Sequence, residues 1–311
     1  MTSDQATSLR ALAAKGQGNN SDKTTVVKTS VVDNKKIKTL KNVPPKSRAR
    51  VITITSGKGG VGKTNCSAAL AYYLFQKKRK VLLMDFDFGM GNTDLLLGNK
   101  EKTNITKLLK GDKDISEAIV KSRYGFEFIK GVRDVRFADL PHHIINRLIS
   151  GLQKVESSYD DIIIDTGAGA HHVVIQSVMK SDVKLFIIKP EKSSWEDAYQ
   201  IIKHLRQKGY SKGFQILINM AKNKHIADLT AKNFMLTCEK SLKIQVDYKG
   251  YLLQDDKVSD SNQCGEVFLA KYPNSSVSLL FQNAFDGFEK PKKDLRIKNI
   301  GYLEALFTGL N

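Results

Sequence analysis

The sequence predicts an α/β domain, a mostly parallel central sheet flanked by helices on both faces, with an N-terminal helix on a flexible linker. Two observations carry this. From residue 51 onward, short apolar runs alternate with helical patterns, a rhythm that sets parallel strands inside and helices outside. The first run, Val51-Ile52-Thr53-Ile54-Thr55, empties into a glycine-rich loop and then at once into the helical stretch Cys66–Leu74. In such sheets ligands meet the carboxyl ends of the strands.

In chain order, residues 3–15 read as a short helix: Ser3 or Asp4 can cap it, Ala, Leu and Arg favour it, and Gly16-Gln17-Gly18 stops it. A helix this short is marginal alone in water, so it is expected to fold against a partner. Residues 1–18 form this segment. Residues 19–47, rich in Lys, Asn, Ser and Thr and closing on Pro44-Pro45, form a flexible basic linker. The domain proper is expected over 48–289. Strands are predicted at 51–55, 81–84, 126–130, 161–165, 184–188, 214–219 and 244–248, and helices at 64–77, 141–155, 195–208 and 226–242. Val277, Leu280, Phe281, Ala284, Phe285 and Phe288 form one apolar helical stripe, the closing core helix. Residues 290–311 are a basic stretch leading into a C-terminal amphipathic helix.

At 311 residues and 41% hydrophobic content, the chain suits one large globular domain with appendages. Its net charge of +18 is unusual and points to an anionic partner: nucleic acid, acidic membrane or acidic protein. Residues 1–50 hold eight Lys and three Arg against three Asp, so +8 of it lies in the tail. Cys66, Cys238 and Cys264 form no C-x-x-C pair, which argues against disulfides and zinc or iron–sulfur sites and for a reducing cytoplasm. With neither a signal core nor a bilayer-length apolar run, the protein is expected to be cytoplasmic, at most peripheral on the membrane.

The loop Gly57-Lys58-Gly59-Gly60-Val61-Gly62-Lys63-Thr64, followed by Asn65, meets the phosphate-loop pattern G-x-x-x-x-G-K-[ST]. Its glycines let backbone N–H groups converge on phosphate oxygens, and the next helix adds its N-terminal partial charge. Lys63 would reach the β/γ-phosphates and Thr64 would ligate Mg²⁺. Asp161-Ile162-Ile163-Ile164-Asp165-Thr166-Gly167 is an apolar strand ending in an acid and a glycine turn, an arrangement in which Asp165 holds Mg²⁺ and the Gly167 N–H approaches the γ-phosphate. Asp85-Phe86-Asp87 ends the strand at 81–84, so two carboxylates can face the same cluster. No N-K-x-D guanine signature follows a strand, since Asn223-Lys224-His225 lacks the final Asp. His142-His143 and His171-His172 read as surface or packing residues, Trp195 as packing at its helix start, and Lys77-Lys78-Arg79-Lys80 as a solvated cap on the first helix.

Lys-Gly-Gly-Val-Gly-Lys-Thr, with its early lysine, resembles the deviant Walker A motif of the MinD/ParA family of dimerising ATPases. The resemblance implies that Lys58 crosses the dimer interface to the partner's nucleotide. It likens 85–94 to the family's D-x-D-x-G-x-x-N-x-D switch I, with Asp87 positioning the attacking water and Asp85 supporting the Mg²⁺ shell. It also implies that Asn219, ending Ile216-Leu217-Ile218, reads the adenine edge, favouring ATP/ADP.

Asp4-Gln5-Ala6-x-x-Leu9-Arg10, Asp165-Thr166-Gly167-Ala168-Gly169 with Pro190-Glu191, and Tyr272-Pro273-Asn274-Ser275 narrow the match to the FlhG/YlxH/FleN branch, MinD-like regulators of flagellar number and placement. His171-His172 and Ser193-Ser194-Trp195 depart from that pattern. The branch implies an ATP-dependent homodimer whose N-terminal helix stimulates the signal-recognition-particle-type GTPase FlhF. Its other surfaces would meet flagellar C-ring switch proteins or a flagellar transcription activator. A ParA-type partition ATPase binding DNA nonspecifically is the alternative that the charge supports. An iron–sulfur relative on the same fold is set aside by the missing C-x-x-C.

At the C-terminus, Lys290, Lys292, Lys293, Arg296 and Lys298 precede Ile300, Leu303, Leu306, Phe307 and Leu310 on one helical face. Basic residues for anionic headgroups and an apolar face for the acyl boundary suit an interfacial anchor on the anionic inner membrane, in the ATP form. Packing of 299–311 back onto the domain is the competing reading.

Overall fold

The computed structural model describes residues 49–87, 93–98, 115–131, 155–170 and 172–289. The predicted helix at 141–155 lies outside these save its last residue. Asp4, Gln5, Ala6, Leu9 and Arg10, the linker, and the C-terminal Ile300, Leu303, Leu306, Phe307 and Leu310 lie outside entirely, as do His142, His143 and His171.

Eight strands form one sheet: β1 (Arg50–Thr55), β2 (Val81–Phe86), β3 (Ile119–Lys121), β4 (Glu127–Ile129), β5 (Asp161–Thr166), β6 (Val183–Ile188), β7 (Phe214–Ala221) and β8 (Val246–Leu253). Their order is β3-β4-β2-β5-β1-β6-β7-β8. Every pair is parallel except β3 with β4. The seven predicted strands all form. β8 runs later than expected, because Ile244 is spent closing the preceding helix through its N–H to the Cys238 carbonyl (3.4 Å). β3 is absent from the prediction, since three residues are too few to show a period.

The helices are α1 (Lys63–Gln76), α2 (Thr93–Leu97), α3 (His172–Lys180), α4 (Lys192–Gln207), α5 (Lys224–Leu242), α6 (Asp256–Gln263), α7 (Phe268–Lys271) and α8 (Ser276–Ala284). Asn223 caps α5 by accepting from the Ile226 N–H (2.9 Å), and Ser275 caps α8 from the Ser278 N–H (3.3 Å). Trp195, expected at the start of its helix, is its fourth residue and packs half-buried on the core.

Both sheet faces are covered, as near-continuous apolar strands require. Along β6, Val183, Leu185 and Ile187 enter a core shared with α1, α7 and α8, while Phe186 and Ile188 enter a second core with α3, α4 and α5. The predicted closing stripe packs in the first core: Val277, Phe281, Ala284, Phe285 and Phe288 are buried. Successive rings run Phe268–Phe281 (5.7 Å), Phe281–Phe285 (4.7 Å) and Phe285–Phe288 (5.3 Å), beyond the end of α8 itself.

Asp161, fully buried at the start of β5, holds two arginines. Arg50 Nε donates to it at 2.7 Å, and Arg79 makes a second close ion pair. The same arginines donate to the Phe288 carbonyl (2.6 Å) and the Glu289 carbonyl (3.0 Å). Arg79 is thus a structural clasp, whereas the sequence suggests only a solvated cap. A lone buried aspartate would be costly, and two guanidinium partners satisfy it.

Candidate functional site

β1 lies centrally between β5 and β6, and the chain leaves it toward β2 on one side while crossing from β5 to β6 on the other. The loop after β1 therefore sits where the connections diverge, the usual place for a ligand in such a sheet. Its turn needs glycine at two positions. Gly60 (φ 71°) and Gly62 (φ 89°) are left-handed, and Gly62 is the N-cap of α1. Lys58, Gly59 and Gly60 are exposed, and a side chain at Gly59 or Gly60 would meet no heavy atom within 4 Å. That open space leaves room for phosphate oxygens to approach the loop backbone. Lys63 opens α1 and is only 7% exposed, while Thr64 and Asn65 follow half-buried.

The predicted acids converge here. Asp85 and Asp165 are directly paired across β2 and β5 and both are buried. The Asp87 N–H donates to Asp85 Oδ1 at 3.0 Å, turning the backbone so that Asp87 Oδ1 comes within 3.1 Å of where a Cβ on Gly167 would stand. The turns that follow β2 and β5 thus meet at Asp87 and Gly167. Gly169 ties the second to the loop through its N–H to the Ser56 carbonyl (3.1 Å).

Burial first, and the Asp165–Asp85 repulsion second, push the Asp165 carboxyl up to about 7, against the opposing influence of Thr64, Lys63 and Ser67. Burial pushes Asp85 up to about 6 despite the Asp87 N–H. Asp165 Oδ1 accepts from the Ser67 hydroxyl (3.0 Å), while Oδ2 is buried with no hydrogen-bond partner among the described residues. Two adjacent buried carboxylates with an orphan oxygen, beside a threonine hydroxyl, fit a hard divalent cation such as Mg²⁺, held directly or through water. Asp85, Asp165 and Thr64 would hold it.

A pH dependence follows. The folded protein binds protons on this pair more tightly than the unfolded chain, whose aspartates titrate near 3.8. Stability without metal should therefore fall as pH rises from about 4 to about 7, by about 1.4 kcal/mol per pH unit for each carboxyl still protonated only in the folded state. Thermal melts in EDTA across that range should show the decline, flattened in Asp165→Asn. An identical slope in the variant would refute the assignment.

Beside the loop lies a cavity of about 430 Å³, lined by Gly62, Asn65, Asn219, Pro190, Leu253 and Asp255 among others. Asn65 Oδ1 is buried there without a hydrogen-bond partner among the described residues, leaving an acceptor to satisfy. Asn219, expected at the adenine edge, lines the cavity but has a structural task as well. Its Nδ2 donates to the Val61 carbonyl (2.8 Å) and its Oδ1 accepts from the Met220 N–H (2.9 Å). The side chain latches β7 to the phosphate loop, and one amide N–H is left for a ligand.

Several site residues are not marked by the sequence motifs. Ser67 orients Asp165; its spacing of four from Lys63 on one helix face was the available signal. Gly131 passes so close to Asp85 that an added Cβ would stand 2.9 Å from its carbonyl oxygen. Ser193 and Asp197, at the start of α4, cover the loop: Lys58 Nζ donates to Ser193 Oγ at 3.1 Å, and Gly57 lies against Asp197. Nothing local in the sequence marks those contacts. Among the described residues no group of three or more His, Cys, Asp and Glu side chains is placed to hold a metal ion.

The model of the family described as AAA domain matches residues 49–216. The antiactivator FleN of Pseudomonas aeruginosa is 29% identical over 75% of this chain and 84% of its own length. The flagellum site-determining protein YlxH of Helicobacter pylori is 37% identical, over 51% of this chain and 54% of its own. Among solved structures, the MinC:MinD cell division complex of Aquifex aeolicus superposes with a TM-score of 0.65 at 25% identity, covering 81% of this chain and all of that one.

Proposed function

Because the chain belongs to the AAA-domain family, with a phosphate loop of MinD/ParA type, it is a P-loop ATPase, and we propose that it works as an ATP-dependent dimerising switch governing flagellar number or placement. The observation that carries the switch is Lys58. A lysine flanked by glycines at the rim of a nucleotide loop is exposed, and among the described residues its ammonium donates to the Ser193 hydroxyl (3.1 Å) with the Glu191 carboxylate nearby, both at the surface. Such a side chain is free to swing to a nucleotide in a facing subunit.

When bound, Mg²⁺ neutralises β/γ-phosphate charge. The chain supplies the rest. Lys63 balances phosphate charge, the loop N–H groups hold the oxygens, and Asp87 orients the attacking water beside Gly167. Hydrolysis would withdraw the γ-phosphate from Gly167 and Asp87 together, loosening the facing subunit. ATP and ADP as ligands agree with the cavity at Asn219 and with the missing guanine signature.

The test of the dimer is size-exclusion chromatography in ATP and in ADP. Wild-type protein should dimerise in ATP alone; Lys58→Ala should keep nucleotide and stay monomeric. A normal Lys58→Ala dimer refutes the cross-interface role.

The flagellar setting draws on FleN and YlxH, named for antiactivation and site determination, and on the Asp4-Gln5-Ala6-x-x-Leu9-Arg10 motif. In this reading residues 1–18 stimulate an FlhF-type GTPase, other surfaces bind C-ring or transcription-activator proteins, and residues 290–311 hold the ATP dimer on the inner membrane. A peptide of residues 1–20 should accelerate the partner GTPase without the ATPase domain, and Gln5→Ala or Arg10→Ala should blunt it. A peptide that binds and leaves GTP turnover unchanged reduces the helix to a tether.

A further inference from the structure

We propose that the domain face opposite the phosphate loop is itself a docking surface for anionic lipid headgroups, anchored by Lys78 and Lys243. This rests on the membrane reading above and extends it from the C-terminal segment to the folded body.

The backbone carries the first argument. Helices that end in a left-handed residue normally use glycine, which reaches that conformation without steric cost. This chain does so after α2 (Gly98, φ 64°), α4 (Gly209, φ 90°) and α6 (Gly265, φ 64°). Three described non-glycine residues are left-handed: Met220, in the nucleotide cavity, and Lys78 and Lys243. Lys78 (φ 63°) follows α1, and Lys243 (φ 55°) is the C-cap of α5. Both are exposed. Lysine stands at two turns where glycine would relieve the backbone. Complementing the helix dipole would not need it there, because Lys77 and Lys240 already stand at the same two helix ends.

Topology then puts both lysines on one face. α1 runs down to the start of β2 and α5 to the start of β8, so both turns lie at the sheet edge away from the phosphates. They stand on opposite faces of the sheet, five strand steps apart, which spans roughly 24 Å. Exposed Lys80, Lys208, Lys212 and Lys240 lie at the same edge. Among the described residues the acids there are fewer or engaged: Asp161 is sequestered by its arginines, Asp160 accepts from the Lys80 N–H (2.8 Å) and Asp182 from the Val51 N–H (2.9 Å), while Glu239, Asp247 and Asp286 are exposed.

Chain continuity selects the partner. Arg50 and Arg79 fasten the Phe288 and Glu289 carbonyls to this same edge. From that point the sequence continues into Lys290, Lys292, Lys293, Arg296 and Lys298, and then into the apolar period of Ile300 to Leu310. A nucleic acid would use the lysines and leave the apolar residues without a role. A bilayer surface takes both, headgroups above and acyl chains below.

The test is the full chain carrying Lys78→Gly and Lys243→Gly, sedimented in ATP with phosphatidylcholine vesicles containing phosphatidylglycerol. Glycine relieves both turns, so thermal stability should hold or rise, which separates lost binding from lost folding. Affinity should fall about five-fold per lysine, about 25-fold for the pair, with a shallower salt dependence. Wild-type affinity in the double variant overturns the proposal. If in addition deletion of 299–311 abolishes binding, the apolar segment docks alone and the C-terminal anchor stands without this face. Binding that survives the deletion yet weakens in the double variant supports the face and removes the C-terminal anchor. Weakened binding to duplex DNA with unchanged vesicle binding would assign the face to nucleic acid and overturn it. Wild-type protein that never sediments overturns both.

Discussion

Lys63→Ala is expected to lower affinity for both ATP and ADP by about 10²–10³-fold while leaving the fold intact. Lys63 is almost fully enclosed at the first position of α1, and its charge faces both the phosphate loop and Asp165. Removing one partner from a buried charge cluster costs about 3–5 kcal/mol, and each 1.4 kcal/mol is tenfold in affinity. The loop N–H groups and the helix terminus would remain, so weak binding should persist at high nucleotide concentration. Titration calorimetry with ADP measures the loss, and far-UV circular dichroism checks the fold. Affinity within about threefold of wild type, against that expected loss, would mean that Lys63 is not the principal phosphate cation.

Gly57→Ala should be the most disruptive single-methyl change in the loop. A Cβ there would stand 2.2 Å from Asp197 Cβ, 2.4 Å from the Asp197 carbonyl carbon and 2.5 Å from the Ala198 nitrogen. Two of those atoms are helix backbone, and Ala198 is completely buried, so α4 cannot slide aside without opening the second core. Overpacking typically costs about 1–3 kcal/mol, and a clash with helix backbone should reach or pass the upper end. At this domain size that corresponds to a melting temperature lower by roughly 6–12 °C. Gly59→Ala is the control, with no atom within 4 Å of the new methyl and no left-handed backbone. It should melt within about 1 °C of wild type, as an unobstructed surface change does. Equal melting of the two variants would show that α4 does not seal the loop in solution.

The contrast between Gly57 and Gly59 marks where sequence reading stops. Both glycines belong to one motif, and the motif alone requires them equally. Only the packing of α4, whose residues lie well over a hundred positions away, makes one indispensable to the fold and leaves the other open for phosphate. Lys58 divides in the same way. Its presence between glycines is plain in the sequence, while its resting contact with Ser193 depends on where the chain after β6 returns.

What the sequence determined by itself was whatever is encoded locally. Strand and helix periods, glycine turns, and acids placed at strand ends predicted an α/β sheet and a phosphate loop, with Asp85, Asp87 and Asp165 expected beside it. These depend on side chains only a few residues apart, so a linear reading reaches them. The tertiary structure decided what distant segments do to each other. It set Asp85 beside Asp165 as paired neighbours on adjacent strands, turned Asn219 into a latch on the Val61 carbonyl, and joined Arg50 and Arg79 on Asp161. It also brought Lys78 and Lys243 to one edge from opposite faces of the sheet. Each of these follows from the order in which strands pair. That order is fixed by burying two faces of one sheet at once, a constraint that no short stretch of sequence contains.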